Sequence, residues 1–425
     1  MMSFEQFNFH SIITAGVRAV GYSAPTPIQF QAIPHILKGS DIIGLAQTGT
    51  GKTAAFVLPI LQRLMGGRRG SIRALIIAPT RELTEQTLKT VALLGRKTGL
   101  RSSSIYGGVS IEPQISALRR GVDIVSACPG RLLDHINRRT INVSAIEVLV
   151  LDEADQMFDM GFLPDIRKIM EHLPSDRQTL LFSATMPEDV KHLAEEILQN
   201  PVSVQIGHTA PVSTVSHTFY SVDTHLKTAL LKNILNTTET GPVLVFTRTK
   251  MRAERVGYQL EQSGYYATAL HGNLSQNKRQ KALDGFRSGR YKVLVATDVA
   301  ARGIDVTGIS HVINYDIPES AVAYTHRIGR TGRAWKTGEA FTFVTVEDRG
   351  PAYSIAQVLG NKLNYCVWDS PDTPRGVSKV QSGSGRHASK RYGTARDAHS
   401  RPRVRQKQNY SPVRGASRSI MPSEC

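Results

Sequence analysis

Short apolar runs of strand length alternate with helix-length amphipathic segments along most of the chain. The earlier runs are DIIGLA, RALIIAPT, VDIVSAC, EVLVLDEAD and QTLLFSAT, and the later ones are PVLVFTRTK, YYATALHG, KVLVATDVA, HVINYDIP and EAFTFVTV. Continuous Val, Ile and Leu runs are typical of strands that are buried on both faces, as in parallel sheets covered by helices. The sequence therefore predicts an α/β fold of mostly parallel sheets with helices on both faces.

The alternation pauses once, near residues 204–218, where Gly, Pro, Ser and Thr replace the periodic pattern. A chain of 425 residues is also too long for one ordinary core. We predict two tandem domains, at residues 1–206 and 217–370, joined by a linker at 207–216.

The last segment, residues 371–425, carries 12 Lys and Arg against three Asp and Glu and has few large apolar residues. It cannot bury enough surface to offset its ordering entropy, so we expect a disordered basic C-terminal tail. The formal net charge of the whole chain is +17, which favours a polyanionic partner. No membrane span or secretory signal is visible, and the three widely separated cysteines fit the reducing cytoplasm.

A phosphate-binding loop is indicated by AQTGTGKT at residues 46–53, between a strand and a helix, with Ala46 where the first Gly of the pattern often stands. Gly49 and Gly51 let backbone N–H groups turn towards phosphates. Lys52 is expected to reach the β- and γ-phosphates, and the Thr53 hydroxyl to hold Mg²⁺. The nucleotide-contacting residues of the loop are predicted to be Ala46, Gln47, Thr48, Gly49, Thr50, Gly51, Lys52 and Thr53.

Two carboxylates follow the apolar run VLVL at residues 148–151. In open parallel sheets, ligands bind at the carboxyl ends of the strands, so Asp152 and Glu153 should face the nucleotide. We expect Asp152 to hold Mg²⁺, directly or through water. Glu153 is then the residue that orients or deprotonates the attacking water.

These motifs together resemble the DEAD-box RNA helicases. The resemblance rests on DEAD at 152–155, AQTGTGKT, PTREL at 79–83, SAT at 183–185 and HRIGRTGR at 326–333, and it covers residues 1 to about 365. Within that family the chain looks most like the bacterial RhlE-type branch. The resemblance implies two RecA-like domains, and an enzyme that uses ATP and Mg²⁺.

By the same resemblance, Gln29 in GYSAPTPIQ grips the adenine edge and Phe4 stacks on the base. Arg330 and Arg333 are implied to be arginine fingers that reach the γ-phosphate when the domains close, and Asp305 to contact the ribose. The residues that the resemblance implies in coupling the two domains are Asp155, Ser183, Thr185, Arg302, His326 and Arg327.

Candidate RNA-binding groups occur in both domains. They are Arg81, Gly107, Gly108, Gly130 and Arg131 in the first, and Arg248, Lys250, Gly272, Gln276, Arg279 and Thr297 in the second. Glycines allow close approach of phosphates to backbone N–H groups and arginines add charge-assisted bonds, so we expect backbone-directed binding with little sequence preference. One departure from the family is Cys128, which stands where Thr usually precedes PGR; a thiol is the poorer hydrogen-bonding group.

The implied function is an ATP-dependent RNA helicase whose two domains close on single-stranded RNA, separate short duplexes or remodel RNA–protein complexes, and reopen after hydrolysis. Two alternatives are a DNA translocase of the same superfamily and a non-catalytic RNA clamp. The glutamine motif and DEAD disfavour the first, and the presence of Lys52, Glu153, Arg330 and Arg333 disfavours the second. We expect a cytoplasmic monomer, with proteins of ribosome assembly or RNA decay as candidate partners.

Overall fold

A computed structural model describes residues 3–47, 49–206, 215–238, 241–301, 308–331 and 338–368. Two parallel sheets of seven strands each form its framework. The strands of the first sheet are β1 (Ile42–Leu45), β2 (Ala74–Ile77), β3 (Ser102–Ile105), β4 (Ile124–Ala127), β5 (Val148–Asp152), β6 (Gln178–Ser183) and β7 (Val202–Gln205). Those of the second are β8 (Val215–Ser221), β9 (Val243–Thr247), β10 (Ala267–Leu270), β11 (Val293–Thr297), β12 (His311–Asn314), β13 (Gly338–Val344) and β14 (Leu363–Val367).

Helices precede the first strand and follow nearly every later one. The helices before or between the strands of the first sheet are α1 (Ser11–Ala19), α2 (Pro27–Leu37), α3 (Lys52–Leu64), α4 (Arg81–Leu94), α5 (Glu112–Arg119), α6 (Pro129–Asn137), α7 (Ala154–Asp159), α8 (Leu163–Met170) and α9 (Glu188–Ile197). Those of the second sheet are α10 (Lys227–Thr237), α11 (Lys250–Gln262), α12 (Gln276–Arg287), α13 (Asp298–Ala301), α14 (Ala321–Ile328) and α15 (Arg349–Leu359). Short 3₁₀ helices occur at Phe4–Phe7, Thr224–Leu226, Val346–Asp348 and Gly360–Lys362.

The two sheets have the same topology. Their strand orders are β3-β4-β2-β5-β6-β1-β7 and β10-β11-β9-β12-β13-β8-β14, and the second order becomes the first when its strands are counted from β8. All strand pairings among the described residues are parallel. The predicted fold class, two α/β domains with parallel sheets, is therefore confirmed.

Alternate residues of the central strands point into two apolar layers, which explains the continuous apolar runs. In β2, Ala74 and Ile76 pack with α2 and α3, whereas Leu75 and Ile77 pack with the layer that contains Leu132 of α6. Burial on both faces favours apolar residues at successive positions of such a strand.

Four strands were not among the predicted runs: β3, β7, β8 and β14. Three of them are edge strands and β8 is next to an edge, so each has positions that face water and carry polar residues. β8 begins at Val215, two residues inside the predicted linker. The rest of that linker, 207–214, and the predicted tail, 371–425, lie outside the described residues.

Equivalent helices of the two halves begin with a buried lysine. Lys52 starts α3 after β1, and Lys227 starts α10 after β8, the equivalent strand. The Lys227 Nζ lies 3.4 Å from Asp316 Oδ1 and 3.9 Å from Asp348 Oδ2. The second lysine is therefore neutralised by carboxylates of its own domain.

None of the helices in the described ranges is both long and apolar enough to cross a bilayer.

Candidate active site and nucleic-acid interface

The loop between β1 and α3 has the backbone geometry expected of a phosphate-binding loop. Gly49 and Gly51 have φ angles of 86° and 94°, in the left-handed region that favours glycine. A Cβ atom on Gly51 would also lie 2.5 Å from Gln29 Nε2. Within the loop, the Thr50 hydroxyl donates to the Gln47 carbonyl at 2.7 Å. Thr48, a predicted nucleotide contact, lies outside the described residues.

Lys52 is folded back onto this loop. Its side chain is buried, and Nζ donates to the Ala46 carbonyl at 2.7 Å and lies 3.8 Å from Glu153 Oε1. Thr53, the next residue of α3, is half-buried. The cation is thus held between the loop and the acidic end of β5, where it lowers the cost of burying negative charge.

Gln29 joins its own helix to the phosphate-binding loop. Its side-chain oxygen accepts from the Thr26 N–H at 3.0 Å, and Nε2 donates to the Gly51 carbonyl at 3.1 Å. Phe4 is buried and stacks on Tyr22, with ring centroids 6.3 Å apart. The structure thus gives both residues protein contacts, and their roles towards adenine stay predictions.

Asp152 and Glu153 leave β5 in unfavourable surroundings for two carboxylates. Asp152 is buried, and its Oδ1 has no hydrogen-bond partner among the described residues. Burial raises the pKa of Asp152 to about 7; nearby Lys52 opposes that rise and Glu153 adds to it. Glu153 has a φ of 56°, a conformation that costs a non-glycine residue on the order of 1–3 kcal/mol. Strain and an orphaned carboxylate oxygen at one point are typical of a functional site.

Glu153 also accepts a hydrogen bond from Gln156 Nε2, one turn into α7. Gln156 is not among the residues predicted from the sequence. Its only signal was its place three residues after Glu153, a spacing that brings side chains together at the start of a helix.

Asp155 ties α7 to the loop after β6. Its Oδ2 accepts from both the N–H and the hydroxyl of Thr185, each at 2.9 Å. The Ser183 hydroxyl accepts from the Asp155 N–H at 3.1 Å and donates to the Thr185 carbonyl at 2.7 Å. DEAD and SAT therefore form one hydrogen-bonded unit.

His326 brings the second domain to this unit. Its Nε2 lies 3.8 Å from Asp155 Oδ2, is buried, and makes no hydrogen bond within the described part of the chain. Arg330, also buried, lines a small cavity together with Gln47, Thr185 and His326. Residues of both domains thus meet beside the phosphate-binding loop. Arg302, Asp305 and Arg333 lie outside the described residues.

Arg327 is an anchor within the second domain. It forms a bidentate pair with Asp298, with Nη2 2.6 Å from Oδ2, and donates from Nη1 to Asn314 and to the Asp316 carbonyl. Its guanidinium also lies 5.0 Å from the centre of the Phe246 ring. These contacts fix α14 against the ends of β11 and β12, so Arg327 acts on the cleft by holding His326 and Arg330 in position.

A cavity of about 520 Å³ brings together many of the predicted RNA-binding groups. Those that line it are Arg81, Gly107, Gly130 and Arg131 from the first domain and Gly272 and Arg279 from the second. Gly108 has a φ of 76°, in the left-handed region that favours glycine, and the Arg81 guanidinium lies against it. Thr297 is buried at the end of β11. Arg248 lines a separate cavity of about 230 Å³, and Lys250 donates to Asn273 at 3.0 Å.

Two contacts across this cavity join the domains. Arg81 Nη1 donates to Gln276 Oε1 at 3.2 Å, and Arg279 Nε donates to Glu82 Oε1 at 2.9 Å. Glu82 and Arg279 are both buried. Glu82 is not among the predicted site residues, although it lies within PTREL and in the first turn of α4. Three side chains predicted to bind RNA therefore also have protein partners.

Cys128 is the residue before α6 and does not cap it. Its side chain makes no capping hydrogen bond, and Sγ lies 3.4 Å from the Thr84 hydroxyl. Burial raises the pKa of this thiol to about 11, so it is neutral at physiological pH. Because it lines the large cavity, its weak hydrogen bonding bears on whatever occupies that space.

Two families of known proteins match the chain. The family described as DEAD/DEAH box helicase matches residues 26–193, and the helicase conserved C-terminal domain matches residues 226–335. The DEAD-box ATP-dependent RNA helicase CshA of Bacillus subtilis is 43% identical over 364 residues, which is 85% of this chain and 74% of that protein. RhpA of Helicobacter pylori, another DEAD-box ATP-dependent RNA helicase, is 44% identical over 344 residues, 81% of this chain and 70% of that protein.

A solved structure, S. cerevisiae Dbp5 bound to RNA and ADP BeF3, has a TM-score of 0.77 and 30% sequence identity to this chain. The match covers 88% of this chain and 96% of that one.

In the absence of nucleotide, the buried Asp152 carboxylate should destabilise the folded protein. Asp152→Asn removes an ionised group whose pKa is raised to about 7, so the variant should unfold at a higher temperature in the absence of nucleotide. The cost of the carboxylate is absent below about pH 4, grows as pH rises to about 7 and is complete above it. We therefore expect a gain on the order of 4 kcal/mol at pH 8 and much less at pH 5, measured by thermal denaturation at both values. A gain of equal size at both pH values would contradict this account.

The missing cap at Cys128 gives a second expectation. Cys128→Thr should stabilise α6 by about 0.5–1 kcal/mol and tighten RNA binding, since a hydroxyl can accept from the helix N–H groups and donate towards the cavity. Cys128→Val is the matched control, because valine has the shape of threonine without its hydroxyl. Thermal denaturation and RNA titration of both variants check the prediction; equal behaviour of the two variants would assign any effect to shape.

Proposed function

The chain belongs to the DEAD-box family of ATP-dependent RNA helicases, and on that premise we propose how its own residues carry out the reaction. The activity is RNA-dependent ATP hydrolysis coupled to RNA unwinding. The observation that carries the proposal is that one interface between the domains contains both the His326–Asp155 contact and the Glu82–Arg279 pair. ATP and RNA therefore act on the same closure of two domains.

The proposed nucleotide site uses the phosphate-binding loop and the end of β5. Lys52 exchanges the Ala46 carbonyl for the β- and γ-phosphates, and Gln29 and Phe4 hold the adenine. Mg²⁺ would be held by the Thr53 hydroxyl and Asp152, partly through water. The residues fit this ion because Asp152 Oδ1 has no hydrogen-bond partner among the described residues, and because Mg²⁺ needs few carboxylates when phosphates and water supply its other ligands. When bound, the ion neutralises developing charge on the phosphates.

Glu153 is the proposed residue that orients and deprotonates the attacking water. Its strained backbone keeps the carboxylate at the start of α7, where Gln156 and Lys52 set its direction. Arg330, with Arg333, supplies positive charge to the γ-phosphate from the second domain. Hydrolysis then requires closure, because the base and the arginines come from different domains.

RNA is proposed to bind in the 520 Å³ cavity through its backbone. Phosphates there would meet Arg81, Arg131 and Arg279, together with the backbone of Gly107, Gly130 and Gly272. The cavity has walls from both domains, so RNA favours the closed state that is competent for hydrolysis. We further propose that the protein works in the cytoplasm as a monomer. The RhlE-type assignment and the partners in ribosome assembly or RNA decay stay predictions.

Glu153→Gln should separate binding from chemistry. The amide keeps the size of the side chain and loses the base, so we expect a complex that holds ATP and RNA and releases both slowly. RNA dissociation with and without ATP measures this, and Lys52→Ala is the control that should weaken nucleotide-dependent holding instead. Dissociation of RNA from Glu153→Gln at the same rate with and without ATP would remove the clamp from the mechanism.

The Glu82–Arg279 pair can be tested by exchanging its charges. Either Glu82→Arg or Arg279→Glu should lower RNA-stimulated ATPase kcat/KM by about tenfold or more, because each leaves buried charge unpaired. The double exchange should recover a measurable part of the loss if the pair itself joins the domains. No recovery would mean that Arg279 serves RNA alone.

A further inference from the structure

A cluster of exposed basic side chains lies at the amino ends of strands of the first sheet, opposite the cleft. It comprises Arg68, Arg69, Arg96, Lys97, Arg101, Arg119 and Arg120, here named the distal basic surface. These residues lie at or just after the ends of α3, α4 and α5 and precede β2, β3 and β4. The proposed RNA-binding residues Arg81, Gly107 and Arg131 come after the carboxyl ends of the same three strands. The two regions thus occupy opposite ends of one part of the sheet.

The three loops of this surface are held together by a single buried acid. Asp123 is fully buried and accepts from the N–H groups of Gly70 at 2.7 Å and Arg101 at 2.8 Å. Arg69 Nη2 donates to the Thr98 carbonyl at 3.3 Å, and Arg101 Nη1 to the Arg120 carbonyl at 2.6 Å. A Cβ on Gly121 would lie 3.1 Å from the Gly70 Cα, so the loops are in close contact.

The charge of the surface is not neutralised locally. None of the seven cations forms an ion pair with a carboxylate in the part of the chain that the structure describes. Asp123, the buried acid at the centre of the surface, accepts from two backbone N–H groups, and a single carboxylate does not balance seven cations. Glu147, just before β5, pairs with Arg73 and Arg63. Basic residues at the C-terminus of a helix interact favourably with the helix dipole. That effect acts within the last turn of a single helix, so it does not explain why three loops place their basic residues together.

We propose that the distal basic surface binds the phosphate backbone of RNA that extends beyond the cleft. Six of the seven side chains are arginines, whose planar guanidinium groups suit phosphate. The loops carry no aromatic residue for base stacking, so binding there has no sequence preference. Aromatic anchors, which are typical of protein interfaces, are also absent from these loops. Among the described residues, Leu93 at the end of α4 is the one exposed large apolar side chain near the surface, and the others lie on other segments.

The path between the two regions is short. Each of β2, β3 and β4 has four residues, which corresponds to about 13 Å of strand. β3 forms the edge of the sheet, and its Ser102, Ser103 and Ser104 are half-buried and polar. An RNA that leaves the cleft along this edge reaches the distal basic surface without crossing an apolar region. This surface therefore adds affinity for long RNA and takes no part in ATP hydrolysis.

The test neutralises the four cations whose side chains make no hydrogen bond or ion pair among the described residues. The distal variant is Arg68→Gln, Arg96→Gln, Lys97→Gln and Arg119→Gln in the full-length protein. A matched control loses the same charge at exposed residues elsewhere, as Lys168→Gln, Arg255→Gln, Lys292→Gln and Lys362→Gln. RNA affinity is measured against salt with single-stranded RNAs of about 6 to 30 nucleotides, a range that extends well beyond ordinary site sizes of about 4–16.

For long RNA, the distal variant should bind about tenfold more weakly at low salt, and the slope of log K against log salt should flatten by as much as about 3 units, or about 0.7 for each lost phosphate contact. Binding of the shortest RNA, and the maximal ATPase rate with it, should match the wild type. A fully paired RNA of equal length, run in parallel, distinguishes whether duplex or single strand supplies the phosphates.

Two results would overturn the proposal. One is an equal loss of RNA affinity in the distal variant and in the control variant, which would mean that net charge alone explains the effect. The other is unchanged binding of long RNA by the distal variant, which would leave an acidic protein as the better match to this surface. Because the shortest RNA and the ATPase report on the cleft separately, neither result would affect the helicase activity itself.

Discussion

In a sheet whose strands all run in one direction, every strand ends at the same edge, and this constraint organises the whole molecule. β1 ends at the phosphate-binding loop, β5 at Asp152 and β6 at Ser183, and these three strands are neighbours in the sheet. The residues that follow their ends are thereby brought within hydrogen-bond reach, as the Asp155–Ser183 and Asp155–Thr185 contacts show. Buried apolar strands supply the rigidity that holds Glu153 in a strained backbone conformation.

The same constraint explains which parts of the site could be predicted from sequence. Lys52, Asp152 and Asp155 follow apolar runs that are easy to identify, because β5 is buried on both faces and β1 is buried on one face and half-buried on the other. The Glu82–Arg279 pair could not be predicted, because its members are 197 residues apart and meet only through the packing of two domains. The coupling role of Arg327 stays a prediction, and its contacts with Asp298, Asn314 and Phe246 are likewise between residues distant in sequence.

The fold was predictable where strands are central and much less so at the edges. β3 has the sequence SSSI and β7 the sequence VSVQ, which satisfy one buried face and leave the other polar. A pattern of that kind in four residues is too short to distinguish a strand from a loop. The pause in periodicity near residue 210 was informative about domain organisation, although β8 begins within it.

The identical strand order of the two sheets has a consequence for how such a chain came to exist. Seven parallel strands arranged in the same order twice, each with a buried lysine opening the helix after its first strand, are what duplication of one ancestral domain produces. In the first copy the lysine stands beside a loop that can receive phosphates. In the second, Lys227 is paired with Asp316 and Asp348, so its charge serves the stability of the domain. The same helix start has thus kept its lysine in both copies while the partner of that lysine has changed from a phosphate-binding loop to two carboxylates.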